Sequence, residues 1–153
     1  MSQAVLNDLD LSELAVGDSL PTVHLLAPQV EDCVSWMEAG DEFHAMHSDA
    51  EYARSMGAQD IVVPGLLLMA HLGRYVLSLV PRDSVRELGG RFESICYPTD
   101  ELSIGGTLAE TFDAGGENRA RLDLLITDRA SGVRVRGNAI VALARPMREK
   151  RTA

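Results

Sequence analysis

The feature that most constrains the fold is an apolar run near the middle of the chain, residues 65–80, which reads GLLLMAHLGRYVLSLV. As an α-helix it would be about 24 Å long, and because it is apolar almost all round it predicts a helix buried in the middle of the fold. Pro64 suits the position just before or at the first turn, where a missing N–H costs little. Pro81 then ends the helix. His71 and Arg74 argue against a membrane span, since both would be costly in lipid.

After this helix the hydrophobic period changes from 3.6 residues to 2. Three segments alternate in this way and predict long antiparallel strands: residues 102–108, 120–126 and 133–143. Gly115-Gly116 and Ser131-Gly132 supply the turns between them, and a fourth strand is expected over residues 90–97. A weaker signal marks another strand within residues 17–26. The pattern predicts an α+β hotdog fold, in which an antiparallel sheet wraps around a long central helix.

Two shorter helices are expected before the central one. Apolar residues over 29–38 follow the spacing of an amphipathic helix, which Gly40 closes. Asp49 is placed to cap a second short helix that stops at Gly57. The residues between these two helices form a loop.

Length and charge limit the class of protein. A chain of 153 residues suits a single domain over residues 1–153, with a short disordered tail near residues 147–153. The net charge of -9 argues against nucleic-acid binding, which needs a basic face. The N-terminus lacks a basic stretch followed by an apolar one, so a cytoplasmic location is expected. Cys33 and Cys96 are far apart, which predicts two buried reduced thiols and no zinc site.

The densest group of reactive side chains is the loop GDEFHAMHSD at residues 40–49, with three carboxylates and two of the four histidines. Loops are common places for catalytic residues. A carboxylate five residues before a histidine can place both groups around one water molecule. Such a pair could remove and return a proton.

These residues also carry a family resemblance. The segment EAGDEFHAMHSDAEYARSMG, followed by IVVPGLLLMAHLGRYV, resembles the MaoC-like family of (R)-specific enoyl-CoA hydratases and the related (3R)-hydroxyacyl-ACP dehydratases. The loop of that family reads Gly-Asp-x-Asn-Pro-Ile/Leu-His-x-Asp. The resemblance extends over residues 17–145, and the loop is its most specific part.

The resemblance assigns roles by position. His47 matches the family's histidine, and the catalytic aspartate falls on Glu42, or on Asp41 if the loop carries one extra residue; we favour Glu42. The family's Asn-Pro pair is absent, and Pro64 stands where the family's helix begins with a histidine. His44 could line the pocket, replace a missing group or face solvent. These departures predict a substrate or an efficiency that differs from the family norm.

The activity implied by the resemblance is reversible syn addition of water across a trans-2-enoyl thioester of coenzyme A or acyl carrier protein. It implies no metal and no redox cofactor, and a homodimer or a heterodimer with another hotdog subunit. Backbone N–H groups at the start of the central helix, beginning at Gly65, would donate to the thioester oxygen. A specialised role in lipid or natural-product biosynthesis would account for the altered loop.

Two other functions stay open. A hotdog thioesterase commonly carries a catalytic carboxylate on the central helix, and residues 65–80 contain none. A non-catalytic hotdog subunit would bind acyl chains or stabilise a partner, although the presence of Glu42 and His47 weighs against it. Structural roles also stay open for single residues: Glu42 as a solvated carboxylate, Asp49 as a helix cap, and His71 as a core or interface histidine.

Overall fold

The computed structural model describes residues 9–130 and 132–144 of the chain. Over these residues it has three α-helices: α1 (Val30–Gly40), α2 (Ala50–Ser55) and α3 (Gly65–Leu79). Its strands are β1 (Ser19–Leu26), β2 (Val85–Phe92), β3 (Glu101–Asp113), β4 (Asn118–Asp128) and β5 (Val133–Ala142). Ser131, which was expected in a turn, and the expected tail at 147–153 lie outside the described residues.

The described strands form one antiparallel sheet in the order β1-β3-β4-β5-β2, so β1 and β2 are its edges. The longest pairing joins β3 to β4, which are connected by the expected glycine turn. Gly115 and Gly116 there have φ angles of +68° and +87°. L-residues with a Cβ rarely adopt these angles, so the turn depends on the Gly-Gly pair.

Glycines let α3 lie close to the sheet. Gly90 on β2 and Gly137 on β5 are paired across the strands. A Cβ at Gly90 would lie 2.9 Å from Sδ of Met69, and one at Gly137 would overlap the side chain of Leu72. Because interiors are close-packed, a side chain at either position would push the helix away from the sheet.

One face of α3 packs against the sheet. Leu68, Leu72 and Val76 recur every four residues and are buried. On the other side Leu66 and Leu77 are 59% and 47% exposed. The expectation that the helix is buried all round is therefore wrong for the single chain, because the described residues place the sheet on one side of it only. No helix within the described ranges has the length and hydropathy needed to cross a membrane.

The strand expected over residues 90–97 is wrong in position, since β2 is Val85–Phe92. Its pairing with β5 ends where Phe92 lies opposite Val135. One further backbone hydrogen bond follows, from Glu93 N–H to the Arg134 carbonyl. The chain then leaves the sheet, and the Cys96 carbonyl accepts from Val63 N–H just before α3. The other predicted elements are present; most begin and end within two residues of their expected limits, but β3 extends five residues beyond residue 108, to Asp113.

Candidate active site

The loop begins with a sharp turn at the end of α1. Asp41 adopts a left-handed conformation with φ 49° and caps the helix, donating its N–H to the carbonyls of Met37 and Glu38. The N–H of Glu42 also donates to the Met37 carbonyl, at 3.1 Å. The backbone of both acidic residues is thus fixed by the helix end.

A 3₁₀ turn, Ala45–His47, positions the two loop histidines. His44 is its N-cap residue, and His47 is its last residue. His47 N–H donates to the His44 carbonyl at 3.0 Å, which closes the turn. Asp49 then caps α2, because its carboxylate accepts from Glu51 N–H at 2.9 Å and from Tyr52 N–H at 3.0 Å. The capping role expected for Asp49 is confirmed.

The orientation of His47 is fixed by the segment that precedes α3. Its Nδ1 lies 2.6 Å from the carbonyl oxygen of Val62, and Val62 N–H donates in turn to the Met46 carbonyl at 3.0 Å. A carbonyl can only accept, so Nδ1 of His47 carries the proton. In the neutral ring, Nε2 then keeps its lone pair and can accept a proton.

In His44 the role of Nδ1 is reversed: it accepts a hydrogen bond instead of donating one. Its Nδ1 accepts a hydrogen bond from Met46 N–H at 3.2 Å. A backbone N–H can only donate, so Nδ1 of neutral His44 is bare and Nε2 carries the proton. The His44 ring lies 5.9 Å, centroid to centroid, from the His47 ring, and the same distance from Tyr52 in an edge-on contact.

A cavity of about 470 Å³ lies between the loop, α1 and the start of α3. Of the six site residues singled out from the sequence, five line it: Glu42, His44, His47, Pro64 and Gly65. Asp41 is not among the lining residues. The structure therefore brings together one carboxylate, two imidazoles and a helix terminus, whereas Asp41 caps the end of α1 without lining the cavity.

Pro64 caps the start of α3, as its position in the sequence predicted. Its carbonyl accepts from Leu67 N–H at 3.0 Å and from Leu68 N–H at 3.4 Å. The N–H groups of Gly65 and Leu66 have no carbonyl partner within the helix, and they carry the positive end of its dipole. Gly65 lies under the Phe92 ring, so close that a Cβ there would be 2.9 Å from Cζ of that ring.

One wall of the cavity is formed by α1, which was not predicted from the sequence. Trp36, Met37, Ala39 and Gly40 line the cavity from the last turns of this helix. Met37 belonged to the apolar face of the predicted helix, which indicated a core position. Trp36 lies outside that apolar spacing, and its signal was that the chain's single tryptophan comes just before the reactive loop.

Other reactive side chains lie away from this cavity. His71 lines a separate cavity of about 130 Å³ with Arg74, Tyr75 and Ser78. Burial lowers the pKa of His71, and the charge of Arg74 lowers it further. Burial also raises the pKa of Tyr75, whose hydroxyl donates to the Pro21 carbonyl at 2.7 Å.

Both cysteines are free and buried, as expected. Burial raises the pKa of Cys33 to about 11 and that of Cys96 to about 12, so both are thiols at neutral pH. Within the described ranges, 9–130 and 132–144, no three histidine, cysteine or acidic side chains converge to hold a metal.

Known proteins resemble this chain in structure rather than in sequence. No family model and no curated protein matches the sequence. A MaoC-like dehydratase from Rhodospirillum rubrum is 20% identical, with a TM-score of 0.75 over 91% of this chain and 99% of that one. An (R)-hydratase from A. caviae involved in PHA biosynthesis is 17% identical, with a TM-score of 0.73 over 85% and 97%.

A third similar structure is the HadBC (3R-hydroxyacyl-ACP dehydratase) complex from Mycobacterium tuberculosis, which is 15% identical with a TM-score of 0.70 over 86% of this chain and 99% of that chain. At such identities the likeness establishes the fold. The chain has the hotdog fold, so the fold class expected from the sequence is confirmed.

Proposed function

We propose that this chain is a hydro-lyase that adds water to a 2-enoyl thioester or removes it from a 3-hydroxyacyl thioester. One observation carries the proposal: Glu42 and His47 line the same cavity as Gly65 at the start of α3. A histidine, a carboxylate and a helix N-terminus that line one substrate-sized space support this chemistry. Hydratases and dehydratases among the proteins of similar fold support the assignment.

In the hydration direction, Nε2 of His47 accepts a proton from water as the water oxygen bonds to C3 of the substrate. The π electrons of the C2=C3 bond move toward the thioester oxygen, giving an enolate. Glu42 holds the water and stabilises the imidazolium that forms on His47. The proton then returns to C2, so that H and OH are added and no net proton is consumed. Dehydration follows the same path in reverse.

The enolate oxygen needs hydrogen-bond donors, and the start of α3 supplies them. The N–H groups of Gly65 and Leu66 have no partner within the helix, and the helix dipole favours negative charge at this end. Gly65 has no side chain to block the approach of a thioester to the backbone. Such preorganised donors commonly account for a large part of the rate enhancement in acyl chemistry.

The substrate we assign is an acyl thioester of coenzyme A or of acyl carrier protein, in lipid or natural-product metabolism. Apolar side chains on the cavity wall, among them Trp36, Met37 and Leu66, suit an acyl chain. The proposed reaction needs no metal and no redox cofactor.

We also infer that the chain works as a homodimer or as a heterodimer of hotdog subunits. The edge strand β2 carries exposed apolar side chains, Leu88 at 40% and Phe92 at 49%, beside the exposed face of α3. Free sheet edges and apolar patches of this kind favour pairing with another chain. Complexes such as HadBC occur among proteins of this fold. Light scattering on the purified protein would test this, and a monomer at micromolar concentration would contradict it.

The catalytic proposal is tested by turnover of short trans-2-enoyl-CoA and enoyl-carrier-protein substrates. We expect Glu42→Gln to lower kcat/KM by about 10² or more, because it removes the carboxylate that supports proton transfer. Asp41→Asn is the matched control. It changes the neighbouring acidic residue, which does not line the cavity, and should keep activity within about threefold.

Two results would contradict parts of this assignment. Loss of activity in Asp41→Asn with full activity in Glu42→Gln would transfer the acidic role to Asp41. A folded protein that turns over none of these thioesters, but stabilises an active hotdog partner, would favour the non-catalytic subunit.

A further inference from the structure

We propose that His44 is the hydrogen-bond donor to the reacting oxygen, and that it forms with His47 a matched donor and acceptor pair. The inference rests on the proposed function and adds a residue to it. Its basis is that the backbone fixes the two imidazoles in opposite tautomers beside one cavity.

The tautomers follow from the chemistry of their backbone partners. The Val62 carbonyl accepts a proton from Nδ1 of His47, which leaves Nε2 of that ring as an acceptor. Met46 N–H donates to Nδ1 of His44, which leaves Nε2 of that ring as a donor. The two rings thus offer opposite hydrogen-bonding groups, although they are the same residue type three positions apart.

The spacing of the rings allows one oxygen atom to contact both. A hydrogen bond of about 2.9 Å, added to the radius of an imidazole ring, reaches about 4 Å from the ring centroid. The His44 and His47 centroids are 5.9 Å apart, which is less than twice that reach. At this separation a water molecule or a 3-hydroxyl group can be within reach of both rings, and we assign it the role of donor to His47 and acceptor from His44.

Such a pair orients the reacting oxygen. Donation to His47 directs the O–H bond toward the base, while the hydrogen bond from His44 stabilises the charge that develops on oxygen as the C3–O bond breaks in dehydration. His44 keeps its proton throughout, so the overall transfer of H and OH is unchanged. The edge-on contact with Tyr52 helps to hold the His44 ring in place.

Kinetics of three variants test the role. His44→Phe keeps an aromatic ring but removes the donor, and we expect kcat to fall about tenfold with a smaller change in KM. His44→Gln offers both an N–H donor and a carbonyl acceptor for Met46 N–H, and should stay within about threefold of the wild type. His24→Gln is the control, since His24 is exposed and hydrogen-bonded to Ser103 on the sheet.

A spectroscopic measurement tests the tautomers without relying on turnover. Long-range ¹H–¹⁵N correlation spectra at pH 8, assigned with the His44→Gln and His47→Gln variants, should show the proton on Nε2 of His44 and on Nδ1 of His47. Addition of 3-hydroxybutyryl-CoA should shift the Nε2 resonance of His44.

The outcomes separate the two proposals. Full kcat in His44→Phe, a proton on Nδ1 of His44, or no shift with the hydroxyacyl ligand would each overturn the role of His44 and leave the proposed function in place. Absence of turnover in the wild-type protein would overturn the proposed function. In that case the tautomers and the ligand-induced shift would still decide whether His44 donates to the hydroxyl group of a bound hydroxyacyl ligand.

Discussion

The cavity at the start of α3 and the smaller cavity beside its middle both contain histidine, but their polar atoms are bound differently. At the start of the helix, His44 and His47 each bind the backbone through Nδ1, and both residues line the cavity. Beside the middle of the helix, the hydroxyls of Tyr75 and Ser78 donate to backbone carbonyls, at 2.7 and 2.6 Å. The second cavity therefore holds polar side chains that serve the packing of the helix.

The helix itself adds to this contrast. At its start, N–H groups are without intrahelical partners, whereas in its middle every N–H belongs to the helical hydrogen-bond pattern. His71 beside the middle is near Arg74, and both burial and that positive charge lower its pKa. A histidine alone does not define a catalytic site. The proposed site is instead two histidines that line one cavity together with a carboxylate and the start of α3.

The largest predicted effect compares the histidines of the two cavities. His47→Ala should lower kcat/KM by about 10²–10⁴, because it removes the proton acceptor of the reaction. His71→Ala should retain activity within about threefold, since His71 lines the other cavity. Steady-state kinetics on enoyl-CoA would measure both. Equal losses in the two variants would remove the distinction between the cavities.

The next effect compares two glycines of α3. Gly65→Ala should reduce kcat/KM about tenfold, because its Cβ would lie 2.9 Å from the Phe92 ring, so that either this ring or the helix start must shift beside the proposed donors. Gly73 lies in the helix interior; a Cβ there would be 3.3 Å from the end of the Leu88 side chain, and Gly73→Ala should keep activity. Alanine there should also raise the free energy of unfolding by about 0.5–1 kcal/mol. A fully active Gly65→Ala enzyme would argue against donors at the helix start.

A smaller effect is expected on stability, from the cap that Asp49 provides to α2 at the end of the loop. Asp49→Ala should lower the free energy of unfolding by about 1 kcal/mol, because it removes the cap that accepts from Glu51 and Tyr52 N–H. Asp49→Asn keeps an oxygen acceptor and should differ little from the wild type. Urea titrations would compare them, and an unchanged midpoint in the alanine variant would contradict the capping role.

The smallest effect is the pH dependence of stability that His71 contributes. Its pKa in the folded state lies below the usual 6.5, so the unfolded chain binds more protons as the pH falls. The contribution of His71 is complete above about pH 6.5 and is lost progressively as the pH falls through its lower folded pKa. His71→Gln should therefore lose less stability than the wild type between pH 7.5 and pH 5.5. The His24→Gln control should lose as much stability over this pH range as the wild type. If His71→Gln also loses as much as the wild type, His71 does not contribute to the pH dependence.

The sequence was sufficient for elements that depend on local pattern. The limits of α3, the Gly115-Gly116 turn and the Asp49 cap follow from periodicity, backbone freedom and short-range hydrogen bonds. The position of β2 could not be predicted in this way, because it is set by pairing with β5, which is distant in sequence. The exposure of Leu66 and Leu77 likewise depends on where the sheet ends.

The loop gave the candidate side chains but not their arrangement. Spacing alone left Glu42 and Asp41 as alternatives; in the structure Asp41 caps α1 and Glu42 lines the cavity, which is why we propose Glu42 as the acidic residue. The tautomer of His44 is set by a local bond from Met46 N–H two residues on, whereas that of His47 depends on contacts between the loop and Val62, fifteen residues away. Such contacts have no local sequence signature.

The most direct test of the central claim is the stereochemistry of hydration in D₂O. If His47 and Glu42 deliver OH and return the proton from one wall of the cavity, a trans-2-enoyl thioester should give the 2-deuterio-3-hydroxyacyl product of syn addition. NMR of the product distinguishes the diastereomers. The syn product is the predicted result, and the anti product, or no addition of water by the folded protein, would contradict the account.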